Sequence, residues 1–176
     1  SEMWIRDRLV SNELNIPKEQ VIVASTGVIG QVLPIEPIEK AVPVLVKELD
    51  YGKNEEASTA IMTTDTIKKE YAVEFEIGGV HCTLGGIAKG AGMIHPKIGT
   101  TLNFITSDCA VSSNMLQKAL SEIVKVTYNC LSVDGDTSTN DMVSLMANGL
   151  AGNEEITCEG EEFDTFKNAL YEVMAN

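Results

Sequence analysis

Residues 71–84 read YAVEFEIGGVHCTL, and this stretch decides much of the fold. Apolar side chains before the two glycines alternate with glutamates, which is the two-residue period of a strand with one buried face. Gly78-Gly79 is typical of a two-residue hairpin turn, and the alternation resumes after it. The stretch therefore predicts an antiparallel pair of strands.

Other elements are predicted on both sides of this hairpin. Apolar residues at helical spacing indicate several helices, and Pro43 inside one of them predicts a kink or a later start. Short apolar runs indicate further strands. The helices are expected over residues 3–14, 37–50, from Ser112 or Ser113 to 124, 138–149 and 163–175, and the strands over 21–24, 60–62 and 102–106. Strands and helices without strict alternation predict an α+β fold with a mixed, largely antiparallel sheet covered by helices.

Composition excludes some classes of partner. The net charge is −13, from 26 acidic and 13 basic side chains, which disfavours nucleic acid and anionic membrane. The 4 cysteines match neither a metal-binding spacing nor a dense disulfide framework, so reduced thiols in the cytoplasm are expected. No stretch approaches the roughly 20 apolar residues of a membrane span, and we see no signal for export.

A glycine-rich passage follows the hairpin, where residues 89–102 read KGAGMIHPKIGTTL. Taken alone it predicts a flexible loop, since it lacks the spacing of a dinucleotide-binding turn and its lysine precedes the glycines. Residues 23–30, 61–66 and 133–141 read VASTGVIG, IMTTDT and VDGDTSTND. Taken in their order along the chain, the four stretches resemble the self-processing ornithine acetyltransferases, also called glutamate N-acetyltransferases, of arginine biosynthesis. That family carries a KGxGM...P...(A/G)TxL signature.

The resemblance implies a mechanism centred on Thr100. In this family the precursor breaks the peptide bond before the threonine, here Gly99-Thr100, so that the threonine begins a new chain. A hydroxyl is a weak nucleophile, and the new α-amine, with a pKa of about 8, supplies a base on the same residue. Without the resemblance, Thr100 reads as a β-branched residue that starts a strand.

Four more residues take roles from the same resemblance. Thr26 and Gly27 match the oxyanion hole, in which each donor stabilises the attacked carbonyl by roughly 3 kcal/mol. Thr66 and Lys89 match substrate-binding positions, together with Thr100, and Lys89 offers a positive charge to a substrate carboxylate. Without the resemblance, Lys89 is interpreted as a solvated lysine. Thr63 and Thr64 are alternatives to Thr66 as the substrate-binding threonine.

The expected reaction is acetyl transfer. Thr100 attacks N2-acetylornithine, ornithine leaves from an acetyl-threonine enzyme, and glutamate accepts the acetyl group. No cofactor is expected, although acetyl-coenzyme A is a co-substrate of bifunctional members. Two alternatives stay open: an inactive, uncleaved fragment that only associates with other chains, and a related amidohydrolase that uses water. No metal site is expected, because the calcium-like start at 134–136 has Leu145 where the bidentate glutamate belongs.

The resemblance also implies a fold, a length and an assembly. It implies sheets sandwiched between helices, an αββα arrangement of the amino-terminal-nucleophile type, with residues 1–176 forming one segment of the core. Family chains are more than twice as long, so we expect an incomplete domain without the opening region and the later part of the substrate site. Exposed edges then favour association, and the full-length family implies an αβ heterotetramer after cleavage.

Overall fold

The chain divides into two compact units, Ser1–Ala57 and Ser58–Asn176, in a computed structural model. The structure describes residues 3–28, 30–92, 94–95, 98–99, 101–132, 134–135 and 140–176. Its helices are α1 (Met3–Leu14), α2 (Glu36–Lys47), α3 (Asn54–Ala60), α4 (Ser113–Ile123) and α5 (Glu161–Ala175). Among the described residues, no helix is both long enough and apolar enough to cross a bilayer.

The amino-terminal unit is built on two helices, because α1 packs against α2. Both helices lie where they were predicted, over residues 3–14 and 37–50, and Val42 is the buried residue of α2. In α1, however, Ile5 is exposed and Arg6 is buried. Helix α2 begins at Glu36 and runs through Pro43, so the expectation of a later start is wrong. Proline lacks an amide hydrogen, and α2 therefore loses one backbone hydrogen bond there.

The segment between these helices is irregular. Residues 21–28 belong to no helix or strand, so the strand predicted over 21–24 is wrong. A strand exists only where a neighbouring backbone pairs with it, and a short apolar run does not specify that neighbour. A single short 3-10 helix, Lys18–Gln20, precedes the segment in the described residues.

A four-stranded sheet organises the carboxy-terminal unit. The strands in chain order are β1 (Lys69–Ile77), β2 (Val80–Lys89), β3 (Ile94–His95), β4 (Ile98–Gly99), β5 (Leu102–Ser107) and β6 (Met142–Ala147). The larger sheet has the order β1-β2-β5-β6, and β3 pairs with β4 in a two-stranded sheet. Of these strand pairs, β5 and β6 are parallel and the other three are antiparallel. The α+β class and the mixed, largely antiparallel sheet are therefore confirmed.

The hairpin predicted from residues 71–84 is confirmed as β1 and β2. Its turn residues Gly78 and Gly79 have φ angles of 57° and 79°. Residues with a side chain rarely adopt two successive positive φ angles, which is why two glycines stand at this turn. The register, with Ile77 opposite Val80, places alternate apolar residues of both strands on one face.

Helices α4 and α5 cover that face. α5 packs on β1 and β2, while α4 packs on α5 and β6 and supplies the crossover that a parallel pair needs. Phe166 is fully buried, and its ring meets that of Phe75 edge to face at 6.1 Å between centroids. The core is completed by apolar residues that include Ile77, Leu84, Ile105, Phe163 and Leu170.

Two predicted elements of this unit are wrong. Ala60 ends α3, and residues 61–62 continue as a turn and irregular chain where a strand was expected. The helix predicted over 138–149 is the strand β6, Met142–Ala147. Most residues on both faces of β6 are half-buried, so its sequence lacks the alternation of a strand with one buried face and fits helical spacing equally well.

Candidate active site

Lys89 lies at the end of the sheet where β2 stops. Its Cα partner in β5 is Leu102, whose partner in β6 is Met142, so three strands meet at this position. Lys89 is only 4% exposed, and within the described residues no salt bridge involves it. A buried ammonium without a paired carboxylate has a high cost of desolvation. This end of the sheet therefore offers a positive charge to an anion.

The buried carboxylate of Asp65 fixes the backbone beside Lys89. It accepts hydrogen bonds from the ammonium of Lys69 at 2.6 Å, the amide of Gly90 at 2.8 Å and the amide of Thr63 at 3.2 Å. Burial alone raises the pKa of the Asp65 carboxyl, but these three hydrogen bonds outweigh it and lower the pKa to about 2. Asp65 is therefore ionised at neutral pH and ties its own turn to the end of β2.

Strands β3 and β4, together with Thr101, form what we call the junction hairpin. Ile94 pairs with Gly99 across the two strands. The amide of Ile94 donates to Asp134 Oδ1 at 2.9 Å, and the amide of Thr101 donates to Asp141 Oδ1 at 3.0 Å. Two carboxylates thus hold backbone on both sides of the predicted cleavage bond.

A cavity of about 170 Å³ lies beside the junction hairpin. Its lining is mainly apolar and includes Ile94, Thr101, Tyr128, Asp141, Met142 and Val143. Burial raises the pKa of the Tyr128 phenol to about 12, so this hydroxyl stays neutral at physiological pH. The cavity therefore adjoins Thr101, the residue after Thr100, and Asp141, which holds its amide.

A comparison with protein-family models identifies the family of this chain. The model described as the ArgJ family matches residues 4–176. The chain belongs to the ArgJ family. The resemblance inferred from the four motif stretches is thereby confirmed.

Curated relatives of the ArgJ family match nearly the whole chain. The arginine biosynthesis bifunctional protein ArgJ of Staphylococcus epidermidis is 46% identical over 96% of this chain and 42% of its own length. ArgJ 1 of Clostridium acetobutylicum is 49% identical over 97% of this chain and 42% of its own length. The chain thus spans about two fifths of the curated relatives it matches. This chain also resembles a crystal structure of ArgJ from Bacillus halodurans, with 32% sequence identity and a TM-score of 0.46. The match covers 56% of this chain and 50% of the Bacillus halodurans chain.

The structure brings some of the predicted site residues together. Lys89 and Gly99 belong to strands at the same end of the carboxy-terminal unit, and Thr66 is an exposed residue directly after Asp65. Thr26, half-buried, and Gly27, exposed, lie in the irregular segment of the amino-terminal unit. Thr100 lies outside the described residues. The roles of these residues in an ArgJ family mechanism stay predictions.

Sequence reasoning missed three aspartates of the candidate site. Asp65 stands inside the TTDT stretch, where the sequence analysis considered only the threonines. Asp134 belongs to the calcium-like turn at 134–136, and Asp141 lies within the helix predicted over 138–149. Their hydrogen bonds to Ile94 and Thr101 each span 40 residues, and no local pattern encodes such a distance. The one available signal was that all three lie within the family's motif stretches.

Proposed function

We propose that the chain is the segment of an ornithine acetyltransferase that carries its nucleophile. It cleaves itself before Thr100, and the new amino-terminal threonine then moves an acetyl group from N2-acetylornithine to glutamate. Membership of the ArgJ family supports this proposal, as do relatives named for arginine biosynthesis. Acetyl-coenzyme A is a second candidate donor, since the same relatives are named bifunctional.

Cleavage begins when the hydroxyl of Thr100 attacks the carbonyl carbon of Gly99. The carbon–nitrogen bond breaks, the amine of Thr100 is released, and an ester joins Gly99 to the threonine oxygen. Water then hydrolyses this ester, which leaves a carboxylate on Gly99 and a free hydroxyl and amine on Thr100. One residue thereby acquires both a nucleophile and a base whose pKa, about 8, suits neutral conditions.

Acetyl transfer uses the same hydroxyl twice. Thr100 attacks the acetyl carbonyl, its amine accepts the proton, and ornithine leaves with that proton to give an acetyl-threonine. Glutamate then attacks the ester and regenerates the hydroxyl. Thr26 and Gly27 are proposed as the donors that stabilise the oxyanion in both steps, and each such donor contributes roughly 3 kcal/mol.

The observation that carries the proposal is the environment of Lys89. Both N2-acetylornithine and glutamate have an α-carboxylate, which requires a cation or several hydrogen-bond donors. Lys89 is 4% exposed and has no salt bridge within the described residues, and its strand partner Leu102 lies two residues after Thr100. A substrate carboxylate would offset the cost of burying this ammonium.

The test is to incubate the purified chain with N2-acetylornithine and measure the masses of its pieces. We expect the piece of residues 100–176 to gain one acetyl group and to lose it when glutamate is added, with N-acetylglutamate as the product. If the acetyl group is instead lost to water and acetate is released, the chain is the related amidohydrolase. A chain that stays uncleaved and unlabelled is the inactive fragment, and it contradicts the proposal.

Lys89→Met sharpens this test because it removes the charge and keeps the length of the side chain. We expect kcat/KM for labelling to fall roughly 10- to 100-fold, since a charge-assisted hydrogen bond is lost. Thermal stability should not fall, because an apolar group replaces a buried charge. Lys125→Met, at an exposed lysine, is the matched control and should change neither quantity. Equal labelling by both variants would contradict the role of Lys89.

A further inference from the structure

Two aspartates hold the backbone on opposite sides of the Gly99-Thr100 bond. Asp134 accepts the amide hydrogen of Ile94, at 2.9 Å between nitrogen and oxygen. Asp141 accepts that of Thr101, at 3.0 Å. Both acceptors lie in the sequence between α4 and β6, seven residues apart, and they contact the junction hairpin at Ile94 and at Thr101.

The residues that these two aspartates hold are close neighbours of Gly99 and Thr100 in the strand pairing or in the sequence. Ile94 is the strand partner of Gly99, the last residue before the bond. Thr101 is the first residue after Thr100, and its carbonyl oxygen also accepts the amide hydrogen of Met142 at 3.0 Å. The residue after Thr100 is thus attached to the Asp141-Met142 pair through both its amide and its carbonyl.

Self-cleavage depends on such restraint. Attack requires the threonine hydroxyl to stay close to the carbonyl carbon of the preceding residue, and holding reacting groups in place supplies a large part of a rate enhancement. Hydrogen bonds to a carboxylate are stronger than those between neutral groups. Neither aspartate need touch the reacting atoms in order to affect the rate.

We infer that Asp134 and Asp141 are positioning residues, which together clamp both arms of the junction hairpin and hold the scissile bond in a reactive geometry. This inference rests on the proposed function. The two residues differ in one respect. Cleavage separates Gly99 from Thr100, so Asp134 acts only on cleavage, whereas Asp141 still holds the residue next to the nucleophile during acetyl transfer.

Four variants test the clamp: Asp134→Ala, Asp141→Ala and the matching asparagine variants. The rate of appearance of the piece 100–176 is measured by mass spectrometry after the chain is folded. We expect each alanine variant to slow cleavage roughly 10- to 100-fold through the loss of a hydrogen bond to a charged group. Asparagine keeps an acceptor oxygen and should restore the rate to within a few fold.

Asp108→Ala is the matched control. Asp108 Oδ1 accepts the amide hydrogen of Thr83 at 2.7 Å, which is the same kind of bond, at the end of β5 that lies roughly 20 Å from the junction. We expect Asp108→Ala to cleave at the wild-type rate even if its melting temperature falls. After cleavage, Asp141→Ala should also lower kcat for acetyl transfer, and Asp134→Ala should not.

The outcomes separate this inference from the proposed function. Wild-type cleavage rates in both alanine variants, or an equal slowing by Asp108→Ala, would overturn the clamp and leave the proposed function intact. A wild-type chain that never cleaves contradicts the proposed function. Amide hydrogen exchange then tests whether the two aspartates restrain the backbone of the junction hairpin. Exchange at Thr101 in Asp141→Ala and at Ile94 in Asp134→Ala should be at least roughly 10-fold faster than in wild type. Unchanged exchange at both amides overturns the clamp.

Discussion

In the carboxy-terminal unit, the core beneath α5 and the end of the sheet beside the junction hairpin share the same strands but are held differently. In the core, apolar side chains such as Phe166 and Leu84 are fully buried against one another. At the junction end, the buried side chains include an ammonium, Lys89, and a carboxylate, Asp65, which is hydrogen-bonded to backbone amides. The fold and the site therefore depend on different interactions, and substitutions should separate them.

The largest expected effect on stability lies in the core. Phe166→Ala removes a fully buried ring that contacts Phe75, and we expect the free energy of unfolding to fall by about 3–5 kcal/mol in urea denaturation. Tyr171→Ala is the matched control, because Tyr171 is an aromatic residue of the same helix that is 48% exposed. It should cost less than about 1 kcal/mol. Equal losses for the two variants would show that burial of the Phe166 ring does not set the stability of the core.

A smaller and pH-dependent effect is expected at the junction end. The pKa of Asp65 falls from 3.8 to about 2 on folding, which corresponds to about 2 kcal/mol of stability. Because the folded pKa is the lower one, this contribution is complete above about pH 4 and is lost as the pH falls towards 2. Asp65→Asn should therefore be less stable than wild type at pH 7 and equally stable near pH 2, as urea denaturation at each pH would measure.

The control for that measurement is Asp164→Asn, at a largely exposed aspartate of α5. Its difference from wild type should stay small at every pH, since exposed ion pairs contribute little. A difference between Asp65→Asn and wild type that does not change with pH would show that the Asp65 carboxylate is not the group held by these hydrogen bonds.

The same contrast explains what the sequence could predict. Periodicity and a glycine pair were enough for the hairpin of β1 and β2, and apolar spacing was enough for α4 and α5. β6 was mistaken for a helix because its parallel partner lies 40 residues earlier, and a short apolar run carries no information about its partner. The bonds of Asp134 and Asp141 span the same distance, which is why the motif predicted a nucleophile but not the residues that hold its neighbours.

The most direct measurement is the intact mass of the purified chain beside that of two matched variants, Thr100→Ala and Thr106→Ala. Thr106 is an exposed threonine of β5, so its variant makes the same chemical change away from the junction. We expect two pieces divided between Gly99 and Thr100 in wild type and Thr106→Ala, and one species near 19.0 kDa in Thr100→Ala. A wild-type chain that remains at 19.0 kDa, or a Thr100→Ala chain that still divides at this bond, would contradict self-cleavage by Thr100.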